Sequence, residues 1–425
     1  MENRIPCKNE NCKGTILPLT AEKTGGLCMP CFQLLKRKEE EEYIRKNQKD
    51  VNIYEGIDDP VEILKIMYSP RNFNPLIRYI EFTRTQEEIY NSLSQNDIKR
   101  LKEYATQLVN DNDKDTAEKI LLRIVCFTNS EINDCLEILI NKGHYYPGIL
   151  FKEASHKIRE ILISQVEKDI ENRNHILLAL SWIGDIRVGE LFNQWRNNPP
   201  SWKNELYIPA EDYSFESGWT LTDDGNRKNM FYTDCYPLVH TATCEAEPLS
   251  IIMKHEDKCP WCKSQMTVLF DFGLTNPIFE FLNFKGERLR ISTCHICTCY
   301  GYIFTKLDFN GYSKWHEANE KPSYLPNIEN PEEEALKVTN PLILSKTKRD
   351  PYYASSWVLE GSGSQVGGHP TWIQDAEYPI CPECSKHMKF IGQLDCPDFM
   401  QYGEGIYYTF ICEECRIAAT HYQQT

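Results

Sequence analysis

No stretch of the chain approaches the roughly eighteen consecutive apolar residues that a membrane span needs. The opening Met1-Glu2-Asn3-Arg4-Ile5-Pro6 has neither the basic segment nor the apolar segment of a secretory leader. A cytoplasmic protein with no membrane partner is therefore expected. Positive charge is in short supply: 47 Lys and Arg face 62 Asp and Glu, for a formal net charge of -15. Such a balance is poorly suited to phosphate backbones, so nucleic acid is not the expected partner. A basic protein is the better match.

Catalytic constellations are missing too. His316-Glu317-Ala318-Asn319-Glu320 opens like a zinc-protease helix but has no second histidine. His369 precedes a Cys-x-x-Cys pair, as in a zinc deaminase, but Pro370 and Thr371 follow it and the general-base Glu is absent. Gly361-Ser362-Gly363-Ser364 with Gly367-Gly368 is glycine-rich, yet no Lys-Ser or Lys-Thr follows. It reads as a turn rather than a phosphate loop. No enzyme is expected.

What the chain has in abundance is cysteine, with 18 residues. Without a leader, paired cysteines favour metal binding over a disulfide framework or a redox pair. Twelve of them form three sets of four. Cys7, Cys12, Cys28 and Cys31 make an N-terminal zinc ribbon over residues 1–33, with Gly25-Gly26 allowing a tight turn before Cys28. Cys7 and Cys12 are the looser pair, and a mixed or metal-free site is the alternative there. Cys259-Pro260-Trp261-Cys262 is matched by Cys294 and Cys297. Cys381-Pro382-Glu383-Cys384 is matched by Cys412-Glu413-Glu414-Cys415.

The last two sets read as one module written twice. Met266 and Met388 each stand four residues after the second cysteine, and an apolar strand follows in both. Register between the copies selects Cys294 and Cys297, with Cys299 as a rival for Cys297. His295 is expected to point outward. Four thiolates close a tetrahedron, so three structural zinc sites are expected. The unpaired Cys126, Cys135, Cys235, Cys244 and Cys396 are expected in the core.

Between the cysteine sets lies a helical region. Residues 34–92 contain the charged run Lys36-Arg37-Lys38-Glu39-Glu40-Glu41-Glu42 and three prolines, and read as a linker with short helices. Residues 93–198 carry apolar residues at helical spacing, as in Ile98, Leu101, Ala105, Leu108 and Val109. Ser94, Asp115 and Ser130 are expected caps, and Gly143 an expected helix end. Ala179-Leu180-Ser181-Trp182-Ile183-Gly184-Asp185-Ile186-Arg187 resembles a HEAT repeat, which implies a short solenoid.

Asn197-Asn198-Pro199-Pro200 reads as a boundary, after which aromatics, Thr, Val and Gly mark β structure over residues 204–425. Residues 204–250 are acidic, including Glu205, Glu211, Asp212, Glu216, Asp223, Asp224, Asp234, Glu245 and Glu247. They read as the outer face of a strand-rich domain, with a contact surface for a basic partner as the alternative. The expected fold class is α+β multidomain: zinc ribbon, HEAT-like solenoid and duplicated β-rich zinc-binding module.

The C-terminal stretch carries a family resemblance. Ser364, the aliphatic Val366, Gly367-Gly368, Pro370 and Trp372, then Cys381 and Cys384, Gln393-Leu394 and Phe410 to Cys415, resemble the programmed cell death protein 2-like and YwqG-like families. Gln365 replaces the usual Lys. Gly403-Glu404-Gly405 with Tyr407 and Phe410 also looks like the YwqG pattern. The resemblance implies a chaperone-like holder of a client protein, or an immunity protein that neutralises a bacterial toxin. A nucleic-acid-binding zinc ribbon is the remaining alternative, kept open by Lys36, Arg37 and Lys38. Chelation is expected to loosen residues 1–33 and 250–425 and to leave the helices of 94–197 folded.

Overall fold

The computed structural model describes residues 4–241, 248–327, 336, 338–359 and 363–424. Met1, Glu2, Asn3, Cys244, Glu245, Glu247, Gly361 and Ser362 lie outside the described residues. The chain divides into two compact units, Met1–Ile89 and Tyr90–Thr425.

In the first unit a two-stranded hairpin, Ile5–Pro6 with Thr15–Ile16, holds the first cysteine pair. The short helix Pro18–Thr24 comes next and ends on Gly25 in the left-handed region. A second helix starts inside the ribbon and runs unbroken over Met29–Asn47, with no buried residue. Its composition explains this: the charged run leaves no apolar stripe to bury. The helix Pro60–Tyr68 is the opposite case. Asp59 caps it by accepting from the Val61 N–H at 2.9 Å, and Val61, Ile63 and Leu64 are buried.

The second unit opens with six helices, Gln95–Asn110, Lys114–Thr128, Asn133–Asn141, His156–Val166, Arg173–Ile183 and Ile186–Asn197. Ser94 caps the first in a capping box with Asp97. The second is capped by Asp113, not Asp115. Asp115 instead sits in the first turn, where its charge favours the positive helix end. Ser130 caps nothing; its hydroxyl pairs with Thr128, and the third helix starts at Asn133. Gly143 does lie just beyond that helix, in the left-handed region. Gly184 ends the fifth helix and Asp185 starts the sixth, accepting from Val188 N–H at 3.0 Å and pairing with Arg159. Cys126 and Cys135 are buried among these helices.

An eight-stranded antiparallel sheet dominates the rest. In spatial order its strands are Ser313–Trp315, Ile303–Leu307, Ile417–Gln423, Ile406–Cys412, Lys389–Asp395, Gln365–Gly367, Cys235–His240 and Leu342–Leu344. A second sheet has three strands, Leu249–Lys258, Gln265–Gly273 and Arg288–Thr293. Side chains alternate across a strand, and both faces of the large sheet are covered. Ile391, Tyr407, Ile411 and Ala418 pack on one face against Phe270, Phe272 and Ile291 of the small sheet. Phe390, Tyr408, Phe410 and Ala419 face the other way, toward Trp372, Tyr378 and Phe231. The whole strand Ile406–Cys412 is therefore buried, with its one hydroxyl-bearing aliphatic residue, Thr409, satisfied by the Gly392 carbonyl at 2.6 Å.

The proline pair at 199–200 marks a change of secondary structure but no gap in packing. The Trp219 indole N–H donates to the Ser181 carbonyl at 2.8 Å, and the Trp182 and His369 rings lie 4.9 Å apart. The helices and the strand-rich part are packed against each other.

Candidate metal centres

Each cysteine quartet is built by short turns that bring two sulfurs to one point. Cys259 N–H bonds Ser264 O at 2.8 Å and Lys263 N–H bonds Cys259 O at 3.0 Å. Cys381 N–H bonds Lys386 O at 2.8 Å and Ser385 N–H bonds Cys381 O at 2.9 Å. Lys263 and Ser385, each just after its pair, are both left-handed, at φ 68° and 58°. The two knuckles are thus the same turn. Each knuckle leads into the same order of elements: a strand, a short helical turn, a second strand, the returning cysteines, and a third strand. The third strands of the two copies, Ile303–Leu307 and Ile417–Gln423, pair with each other.

The copies differ at the return. After Cys415 the chain turns on Arg416, at φ 51°, straight into its strand. After Cys294 it forms a short 3-10 helix, Cys297–Tyr300. That helix carries Cys299 away from the quartet, with its thiol against the His295 carbonyl at 3.4 Å.

The structure brings together Cys7, Cys12, Cys28 and Cys31; Cys259, Cys262, Cys294 and Cys297; and Cys381, Cys384, Cys412 and Cys415. Within each quartet the sulfurs all lie within 4.8 Å of one another. Separations include 3.6 Å for Cys12 and Cys28, 3.4 Å for Cys262 and Cys294, and 3.7 Å for Cys384 and Cys412. A disulfide needs about 2.05 Å, so none is formed here. A thiolate tetrahedron around zinc, with bonds of about 2.3 Å, has edges of about 3.8 Å. The residues fit a tetrahedral metal ion, and four soft sulfurs suit zinc or iron.

Backbone and side-chain N–H groups point at these sulfurs. In the N-terminal quartet the Cys28 N–H donates to Cys7 Sγ at 3.1 Å, and Asn9 Nδ2 donates to Cys31 Sγ at 3.2 Å. Such donors favour thiolates and orient them. Burial, then the Cys384 neighbour, pushes the Cys415 thiol up to about 11. Burial, the leading cause, pushes Cys412 up as well. A metal ion must displace these protons, so loading weakens as pH falls.

Elsewhere one histidine departs from expectation. His295 is 8% exposed, not outward: its ring lies 3.4 Å from the Thr267 hydroxyl. The 3-10 turn, absent from the second copy, folds it inward. His316 and His369 belong to none of the quartets. Burial holds His369 neutral, with its pKa down to about 4. Cys235 and Cys396 are buried, as expected of unpaired thiols.

A buried polar web around Gly367-Gly368 escaped the sequence reading. Gln365 donates to His369 O at 2.9 Å and accepts from Arg349 at 2.8 Å. Gln393 accepts from Thr371 N–H at 2.9 Å and donates to Gly363 O at 2.7 Å. The available signal was a pair of glutamines inside apolar strands.

Cys297→Ser and Cys299→Ser separate ligand from bystander. Elemental analysis should find one metal equivalent fewer in the first variant and the wild-type amount in the second. Loss of metal in Cys299→Ser would overturn the assignment.

The fold and its sulfur quartets define a mixed helix and sheet protein with three four-cysteine clusters. No family model matches the chain, and no solved structure matches it. It is 37% identical over 431 residues to the uncharacterized protein YpfL of Salmonella typhimurium, with full coverage of both chains. The chain belongs to the same family as that protein.

Proposed function

We propose that the chain is a non-enzymatic, zinc-stabilised protein-binding factor, adaptor or chaperone-like, that holds a basic client. The observation that carries this reading is the composition of the clusters. All four positions in each are sulfurs, so a tetrahedral ion held there keeps no position for a reacting water. Their chemistry is that of a clamp. The acidic balance of -15 supports a basic client, and the resemblance of Ser364 to Cys415 to client-holding proteins points the same way. The helical region, HEAT-like in its last two helices, supplies further surface for such a client.

The Lys36-Arg37-Lys38 run favours nucleic acid only locally. It lies on an exposed helix, but Lys36 pairs with Glu39 at 2.8 Å and four glutamates follow it.

Affinity purification of the full chain at low salt should recover one dominant basic protein, released as salt is raised. Co-purifying nucleic acid, lost in a Lys36/Arg37/Lys38→Ala variant, with no basic protein present, would refute the proposal. An immunity role would show as a recovered toxin.

A further inference from the structure

The helix Met29–Asn47 is 19 residues long and buries none of them. It is a rod of about 28 Å. Charged pairs one turn apart support it, Lys36 with Glu39 at 2.8 Å and Lys46 with Glu42 at 2.7 Å. Such pairs stabilise a helix only slightly. Most helical stability in proteins comes from packing one face against a neighbour.

One face of this helix is ordered. Met29, Phe32, Lys36, Glu39, Tyr43 and Lys46 follow in steps of three, four, three, four and three, the spacing of a coiled-coil seam. Met29 is 50% exposed and Tyr43 59%. Lys36 Nζ lies 5.9 Å from the centre of the Phe32 ring, so these two side chains share that face. The three apolar residues are too few, and too interrupted by charge, to join a core of their own chain.

The spacing is the same read backward. Two copies laid antiparallel therefore bring Met29 to Lys46, Phe32 to Tyr43 and Lys36 to Glu39. Opposite charges meet at the centre, aromatic rings flank them, and the Lys46 stem covers the thioether at each end. A parallel pair would set Lys36 on Lys36 and Glu39 on Glu39. Charge along the helix makes the same choice. Lys36, Arg37 and Lys38 are the only basic or acidic residues of its first half, whereas Glu39 to Glu42 outnumber Arg45 and Lys46 in its second. The antiparallel pair lays basic half on acidic half and opposes the two helix dipoles. A uniformly basic client is drawn to one half and repelled by the other. A second copy of the chain matches both.

We propose that this face of the helix Met29–Asn47 is an interaction surface for a second copy of the chain, paired antiparallel through the same helix. Its seam is short and half charged, so the association is concentration-dependent and weakens as salt is raised.

Sedimentation equilibrium of the full chain at low salt reads the association directly. Wild type should pass from monomer to dimer between about 1 μM and about 100 μM. Tyr43→Ala removes an exposed ring and should weaken the dimer about tenfold or more, with metal content and helical circular dichroism unchanged. Lys36→Glu and Glu39→Lys should each be monomeric, because like charges then meet at the centre. Mixed together, these two variants should form a heterodimer, since the carboxylates of the first meet the ammonium groups of the second. The double variant Lys36→Glu/Glu39→Lys should again associate with itself.

A misfolded variant does not regain association by mixing, so the exchange of charge keeps the test sharp. Wild type that stays monomeric at about 100 μM would overturn the proposal. So would a dimer that none of these substitutions weakens, or a mixture of the two single variants that remains monomeric. A monomeric wild-type chain whose helix instead takes up a basic protein or a nucleic acid would overturn it as well.

Discussion

Chelation at neutral pH should abolish the near-ultraviolet signature of the aromatic core and lower the melting temperature by tens of degrees. Structural zinc contributes about 10–16 kcal/mol of apparent folding free energy in small domains. A whole domain is stable by only about 5–15 kcal/mol. Removing the ions that the two quartets of the unit Tyr90–Thr425 would hold should therefore cost more than the remaining packing supplies. The sequence alone led to the expectation that the helices of 94–197 would survive. The packing revises this. Trp182 rests on His369, Ser181 is tied to Trp219, and Phe192 stacks on Trp219 at 5.6 Å. Helical circular dichroism should fall in the same transition as the aromatic signal. The unit Met1–Ile89 has its own quartet and should give a separate step. A metal-free sample, verified by elemental analysis, that keeps both signals would refute the structural role of the ions.

Gly367→Ala is expected to cost about 3 kcal/mol or more, read as a lowered denaturant midpoint. Gly367 has φ 68°, and a Cβ there would collide with the Asp234 carbonyl oxygen. It ends a short strand that pairs on one side with Cys235–His240 and on the other with Lys389–Asp395. Neither neighbour can retreat without breaking a ladder. Gly189→Ala is the control of opposite sign. Gly189 lies inside the helix Ile186–Asn197 with nothing within 4 Å of an added Cβ. Alanine there should stabilise by about 0.5–1 kcal/mol. A Gly367→Ala protein as stable as wild type would mean that the three strands do not meet at this point.

Of the twelve clustered cysteines, the looser Cys7 and Cys12 were legible through their place opposite Cys28 and Cys31, and the other ten because the Cys-x-x-Cys spacing is a local signal. It fixes the turn that aims both sulfurs, whatever the rest of the chain does. The order of strands around each quartet was legible for the same reason, through the repeated methionine and apolar run. Caps were less legible. Asp111, Asn112, Asp113 and Asp115 are all competent, and the choice of Asp113 depends on where the preceding helix ends. His295 was hidden because its orientation depends on a 3-10 turn that the second copy lacks. The joining of helices to sheet was hidden as well. It rests on contacts such as Trp182 with His369, which are far apart in sequence and carry no local pattern.

The pairing of Ile303–Leu307 with Ile417–Gln423 joins two of the candidate metal centres through one ladder. The strand Ile417–Gln423 leaves directly from its sulfur quartet, and Ile303–Leu307 follows its own after the 3-10 turn. Lys306 on the latter reaches the Cys415 carbonyl just ahead of the former at 2.9 Å. Damage at either quartet, such as oxidation of a single thiol, is expected to loosen the shared seam and with it the twin. The two halves should fail together, which makes the pair a single fuse rather than two independent safeguards.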